Sequence, residues 1–238
     1  MTALFGWWLL LVVLGLAALP LTAGIFSARM HYGYGFAKIA AVLVFSYVAW
    51  ILAEITDGSF HTCLIVSGVV CLAASAAAAW KQSDTLLAWL RNGGARSLLI
   101  HECLWTAGFL FFAWQRSLGP EIFGAEKYMD FAFFNTLMRS DHMPPQDPWM
   151  SGEIFNYYYF GYLMVADLGR LSMLPTNIAY NLCVMTAGGL AFSEVAALVW
   201  GLTRRLSFGV LAGAMSAFVG NLDGFLQWLL AVASALLR

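Results

Sequence analysis

The sequence predicts an all-α, polytopic transmembrane helical bundle of about seven spans, with one long ordered loop outside the cytoplasm. Three observations predict it. Of the 238 residues, 61% are hydrophobic and only 11% are charged, against roughly 25% charged in a soluble domain. Apolar runs near the roughly 20 residues needed to cross a bilayer recur along the chain. Aromatics reach 16%, with 10 Trp, which suits a protein with two membrane interfaces to anchor. The same figures exclude a water-soluble globule and a disordered chain. Twelve Lys and Arg against 13 Asp and Glu leave a net charge of −1, so there is no basic stripe for nucleic acid.

The elements follow in order. The first span, 3–21, lacks a basic n-region and has a longer apolar run than a signal peptide, so it reads as a retained helix. Pro20 breaks or ends it. A short connection, with Arg29, His31, Gly33 and Gly35 around the string HYGYGFAK, leads to a second span, 36–53, which stops at Glu54 and Asp57. The third span covers 61–80. A polar linker, KQSDTLLAWLRNGGARS, separates it from the fourth, 98–114. Residues 1–115 thus form an N-terminal four-span membrane region. Across 116–153 charged residues gather, with four of the six prolines. This is an acidic, Pro-rich extracytoplasmic loop. Its stretch 126–139 predicts a short interfacial helix. MPPQDPWMSG (143–152) cannot be helical, because its three prolines remove donors and fix φ, and it predicts a rigid, ordered loop.

The C-terminal membrane region, 154–238, opens with a fifth span near Ile154. A turn at LPTN leads to a sixth span, 178–200, and TRR precedes a seventh, 208–219. GNLDG (220–224) then interrupts the pattern, and the last apolar segment, 225–237, is too short to span comfortably. That ending reads as a truncation. The four cysteines, Cys63, Cys71, Cys103 and Cys183, lie in apolar stretches without CxxC spacing, so neither a disulfide framework nor a zinc site is expected. Seven spans would put Arg29, Lys38, Lys81, Arg91, Arg96 and Arg170 on one side and Arg116, Lys127, Arg139, Arg204 and Arg205 on the other. Six against five is no useful bias, and only the early loops favour placing the long loop outside the cytoplasm.

Three constellations can carry chemistry. In PEIFGAEKYMDFAF, Glu126 and Asp130 are four apart and share a helix face, with Glu121 nearby. Carboxylates at the membrane boundary are costly unless paired or used. Such a pair can act as a general base or hold a divalent ion, or it is simply a solvated loop face. In RSDHMPPQDPWMSGE, Asp141, His142, Asp147 and Glu153 are acid–base or ligand groups. The flanking prolines fix where Asp147 points, unless the segment is only a turn-rich connector. In FNYYYFGY, Asn156 and Tyr157, Tyr158, Tyr159 and Tyr162 crowd the start of the fifth span. Tyrosines there commonly anchor a helix at the headgroups. On a helix, however, three in a row cover most of the circumference, so at least one should turn its hydroxyl toward the acidic loop. Asp167 and Arg170 share a face and can pair. Glu102 and Glu194 sit in apolar runs, where acids are functional candidates by default. No HExxH, GxSxG or P-loop string occurs, which leaves zincin, serine-hydrolase and nucleotide-loop readings unsupported.

The strings GYGFAK, PEIFGAEKYMDFAFFNTLMRS, PPQDPWMSGE, NYYYFGYL and AYNL, in this order between about 19 and 221, resemble the YYY-type (DUF2298) family of polytopic membrane proteins. The family's tyrosine triplet falls here on Tyr157, Tyr158 and Tyr159. That family in turn resembles the GT-C fold glycosyltransferases, which carry acids in their first large external loop and use lipid-phosphate-linked sugars. The resemblance implies that Asp130 is the catalytic base, supported by Glu126 and Asp147. It implies that Lys127 or Arg139 neutralises the leaving phosphate. Substrate contacts would come from His142, Trp149, Asn156 and the three tyrosines. It admits a divalent metal, Mg2+ or Mn2+, without requiring one. The implied partners are membrane lipid, a polyprenyl-phosphate-linked sugar and further membrane subunits, in the cytoplasmic membrane of a prokaryote. Family members are typically longer, which puts the activity of this chain alone in question. Two other readings stand beside it. A non-catalytic subunit or scaffold predicts that Glu126, Asp130 and Asp147 share no cavity. A transporter predicts acids on several spans near mid-depth.

Overall fold

The computed structural model describes residues 2–219 together with 226, 227, 230 and 234. The predicted break at 220–224 and most of the last apolar segment lie outside the described residues. The described chain is helical, with α1 (Thr2–Ala23), α2 (Ala37–Thr56), α3 (Phe60–Lys81), α4 (Ser83–Trp89), α5 (Ala95–Ser117), α6 (Lys127–Arg139), α7 (Phe160–Ser172), α8 (Thr176–Thr203) and α9 (Leu206–Phe218). Five segments are long and apolar enough to cross a membrane: α1, the stretch from Ala28 through α2, α3, the continuous α4–α5 stretch, and α8. The all-α polytopic bundle therefore stands.

The path through the membrane differs from the sequence expectation at the fifth span. Arg116, at the end of α5, donates from Nε to Asn181 Oδ1 near the start of α8 at 2.8 Å. The chain between them therefore leaves and returns on one face, called the loop face here. Within that excursion α7 has 13 residues, a length of about 20 Å, short of the roughly 30 Å hydrocarbon core. It starts where Tyr159 meets Trp50 of α2. It ends where Ser172 and Leu174 lie beside Thr2 and Gly6. Residues 154–159 are apolar enough to imitate a span but are irregular. Their start is tied to the loop by Phe155 N–H donating to Pro145 O at 2.8 Å.

This correction sorts the charges. Arg29, Lys81, Arg91, Arg96, Arg204 and Arg205 now lie on the face opposite the loop, the basic face, where Arg29 donates to Leu202 O at 3.0 Å. Lys127 and Arg139 lie on the loop face, as do Arg116 and Arg170, both tied to backbone carbonyls.

Three smaller expectations also change. α1 runs three residues past Pro20 before it ends at Ala23. The connection around His31 is a 3-10 segment (Ala28–Phe36) in which His31, Tyr32 and Gly33 take left-handed backbone angles. The polar linker is helical: Leu86 is buried, Trp89 packs edge-on to Tyr32 at 5.2 Å, and the kink falls at Asn92 and Gly93.

The bundle is tied by polar contacts between helices and by close packing. Trp7 donates to Thr186 at 2.8 Å and Trp8 to Thr106 at 3.0 Å, which fixes α1 against α8 and α5. α5 and α8 meet at Gly108 and Gly189. A Cβ at Gly189 would stand 2.9 Å from the backbone nitrogen of Phe109, so only glycine permits this approach. The four cysteines are free thiols.

Candidate functional site

The loop face is built on α6. The amphipathic pattern of this helix buries Phe133, Phe134 and Leu137 against Met143, Phe155 and Leu163. Its last turn is capped by Arg170, whose guanidinium donates to Leu137 O at 2.5 Å and to Ser140 O, and stacks on Phe60 at 5.0 Å. A cation there suits the negative end of the helix dipole. The expected Asp167–Arg170 pair is not made among the described residues, because Arg170 turns to α6 instead. Asp167 is fully buried and faces the buried Ser46 hydroxyl of α2.

The segment 143–155 is ordered, as its prolines predict. Asp147 N–H donates to Glu153 O at 2.9 Å, and Gln146 and Ile154 form an antiparallel bridge. The loop is also pinned to the α2–α3 turn. Phe60 N–H donates to Asp141 O at 2.7 Å, and Ser59 Oγ and His61 N–H donate to Asp141 Oδ1 at 2.9 and 3.3 Å. The Ser59 hydroxyl, followed by the His61 amide, holds the Asp141 carboxyl below its ordinary range.

Asp130 lies in the first turn of α6, half-buried, and its Oδ1 accepts the Tyr162 hydroxyl at 2.5 Å. Glu126 is exposed, one turn earlier at the N-cap, and Lys127 is half-buried beside it. Tyr180 of α8 packs edge-on to Phe131 and Phe134 on the neighbouring turns. The tyrosine triplet precedes α7 rather than lying in it, so the helical spacing assumed for it does not apply. Tyr157 donates to Tyr158 at 2.9 Å. Its hydroxyl pKa is raised by that bond first, with smaller contributions from burial and from the charges of Tyr158, Glu126 and Asp130. Tyr157 also packs on Phe133 of α6 at 5.3 Å, which brings it beside the acidic helix. Tyr159 turns away and accepts from the Trp50 indole at 3.0 Å.

Asp147 stands apart. Its Oδ1 accepts the backbone N–H groups of Trp149 and Met150 at 2.7 and 3.0 Å, which shapes its own turn. It helps to line a polar cavity of about 430 Å3 with Thr136, Arg139, Ser140, Asp141 and His142. Asp130 and Glu126 do not line this cavity, and Arg139 is nine residues from Asp130, about 13 Å along the helix. Trp149 and Asn156 are exposed. Among the described residues no three His, Cys, Asp or Glu side chains come together to hold a metal.

Residues 44–238 match the model of a family described as an uncharacterized membrane protein, DUF2298. The chain belongs to this family. The match leaves GYGFAK outside and takes in the acidic loop, the tyrosine triplet and α8 of this DUF2298 protein. Neither a curated protein nor a solved structure matches the chain.

Sequence reading missed two residues that organise the site. Tyr162 stands among tyrosines suited to anchoring at the headgroups, yet it is the partner of Asp130. Arg116, just past an apolar run, is buried and donates to Asn181 and to the carbonyls of Gly119, Pro120 and Glu121. A lone arginine at the end of a span, with an Asn at the start of another, was the available signal.

Proposed function

We propose that this DUF2298 protein is, or forms the N-terminal part of, a GT-C-like glycosyltransferase that moves a sugar from a polyprenyl-phosphate donor to an acceptor hydroxyl. The observation that carries this reading is Asp130. It sits at the N-terminal end of an interfacial helix, one oxygen is fixed by Tyr162, and no hydrogen bond engages the other among the described residues. In the proposed step that second oxygen takes the acceptor proton. The acceptor oxygen bonds to the anomeric carbon, the carbon–phosphate oxygen bond breaks, and the configuration inverts. Lys127, three residues from Asp130, is the nearer cation for the leaving phosphate; Arg139 serves the separate polar cavity.

The charge distribution supports an orientation. Leaving out the arginines tied to backbone carbonyls on either side, five cations on the basic face and two at the loop favour a cytoplasmic basic face. Asp130 then meets the outer leaflet, where the sugar-lipid donor would be drawn.

The test is transfer of labelled sugar from a polyprenyl-phosphate donor in membranes, with expression matched between variants. Asp130→Asn should lower transfer by about 10²- to 10⁴-fold, the usual cost of losing a general base. Asp57→Asn, in the α2–α3 turn, should change little. Near-normal transfer by Asp130→Asn removes it from the chemistry. A non-catalytic subunit is the second reading, favoured by the separation of Asp147 from Asp130. It predicts no transfer by the unaltered protein.

A further inference from the structure

A second group of ionisable side chains lies inside the bundle, toward the basic face. Lys38 of α2 and Glu102 of α5 form an ion pair with side chains only 6% and 19% exposed. Tyr34, from the 3-10 segment, donates its hydroxyl to the same Glu102 oxygen. Glu194 lies on α8 one turn before Ala197, which packs directly against Gly35 beside Tyr34, and its charge reaches the Lys38 ammonium. α1 supplies no titratable group here; it supplies Gly15, where a Cβ would stand 2.9 Å from Lys38 Cγ. His101 packs edge-on to Tyr34, the Glu102 partner, at 6.1 Å, and its Nε2 lies 3.1 Å from Nδ1 of His31. The Trp200 ring covers both imidazoles, at 4.1 Å from His31 and 5.0 Å from His101.

Glu102 is seven residues from the start of α5 and Glu194 nine from the end of α8. That places them about 10–14 Å inside the basic face. The group holds two carboxylates and one ammonium, so with every member ionised it carries an excess negative charge. Glu102 Oε2 and Glu194 Oε1 are both buried without a hydrogen-bond partner. An unpaired charge in such a place is strongly unfavourable. The position a metal ion would take is already filled by the ammonium. A proton restores neutrality and needs no space. His31 is half-exposed and His101 is buried. An imidazole can accept a proton at one nitrogen and release one from the other.

We propose that Lys38, Glu102 and Glu194 form a buried proton-binding centre, holding one proton between the two carboxylates and exchanging it with the basic face through His31 and His101. A proton taken from water by His31 passes to His101 and then to a carboxylate. Each imidazole returns to neutral, and the centre becomes neutral overall.

The experiment uses the full chain in lipid vesicles. It reads the infrared carbonyl band of a protonated carboxyl and the shift of that band in D2O. All variants carry Asp167→Asn, which removes a further buried carboxyl found among the described residues. The background protein should show the band at neutral pH. Adding Glu194→Gln or Glu102→Gln should abolish it, because the remaining carboxylate then balances Lys38. Adding Lys38→Met should enlarge it. Adding His31→Gln should keep the band and slow its exchange with D2O. Absence of the band in the background protein overturns the centre, as does its survival in both Glu→Gln variants. Unchanged exchange after His31→Gln overturns the entry route.

Discussion

Tyr162 donates its hydroxyl to Asp130 Oδ1 at 2.5 Å across 32 residues of sequence, so the carboxylate on α6 is aimed by a side chain from α7. Tyr162→Phe removes the donor with little change in shape. A hydrogen bond to a charged group contributes about 1.5–3 kcal/mol, and half-burial places this one at the low end. The expected outcome is a stability loss of about 1.5 kcal/mol, with a fall in sugar transfer. Combined with Asp130→Asn, the two changes should be non-additive in a double-mutant cycle on denaturant unfolding. Strict additivity would show that the pair does not act as a unit.

Arg116→Met should be among the most damaging substitutions. It leaves Asn181 Oδ1 and the carbonyls of Gly119 and Glu121 around a buried site without their donor, a loss of about 3 kcal/mol, while Pro120 O keeps Asn181 Nδ2 at 3.1 Å. Arg116→Lys should recover only part of it, since an ammonium cannot reproduce the planar fork. Thermal unfolding in detergent, followed by tryptophan fluorescence, checks both. A fully stable Arg116→Lys variant would mean that charge alone holds the two helix ends.

The course of α7 can be tested by labelling. Cysteines at Ser151 and at Met173, which is 90% exposed, should react with a membrane-impermeant maleimide from the same side. A cysteine at Arg91 should react only from the other. Labelling of Met173→Cys from the Arg91 side would restore a crossing at α7.

The apolar periods of α1, α2, α3 and α8 and the prolines of 143–152 made most of the bundle and the ordered loop legible, because burial and fixed φ are written locally. The course of α7 was not. Its apolar run, extended by Ile154 and Phe155, has the composition of a span. What stops it crossing is the distant meeting of Arg116 and Asn181. Asp130 was legible as a candidate, but its partner was not, since several tyrosines competed and the hydrogen bond joins separate elements. The polar interior was half legible: Glu102 and Glu194 stood out, whereas Lys38 beside a short connection gave no sign that it faces them.

Asp141 gives a pH dependence with a definite sign. Its folded-state pKa lies below the ordinary value because the Ser59 hydroxyl and the His61 N–H bind the ionised form. Its contribution is therefore present above the unfolded pKa and is lost as pH falls through the folded one. Protease sensitivity of the loop should rise in that acidic window. Asp141→Asn should be more sensitive than the unaltered protein near neutrality and equal to it once the carboxyl is protonated. A constant difference across the whole range would assign the effect to shape rather than ionisation.

Because Arg116 and Asn181 join the end of α5 to the start of α8, residues 118–175 form an insert whose two stems are neighbours. The membrane frame could close over a short turn without it, since α5 and α8 already run antiparallel and packed. Evolution can therefore remodel, exchange or enlarge this cassette without rethreading a single transmembrane helix. Related proteins would then be expected to vary most between these stems and least in the frame that carries them.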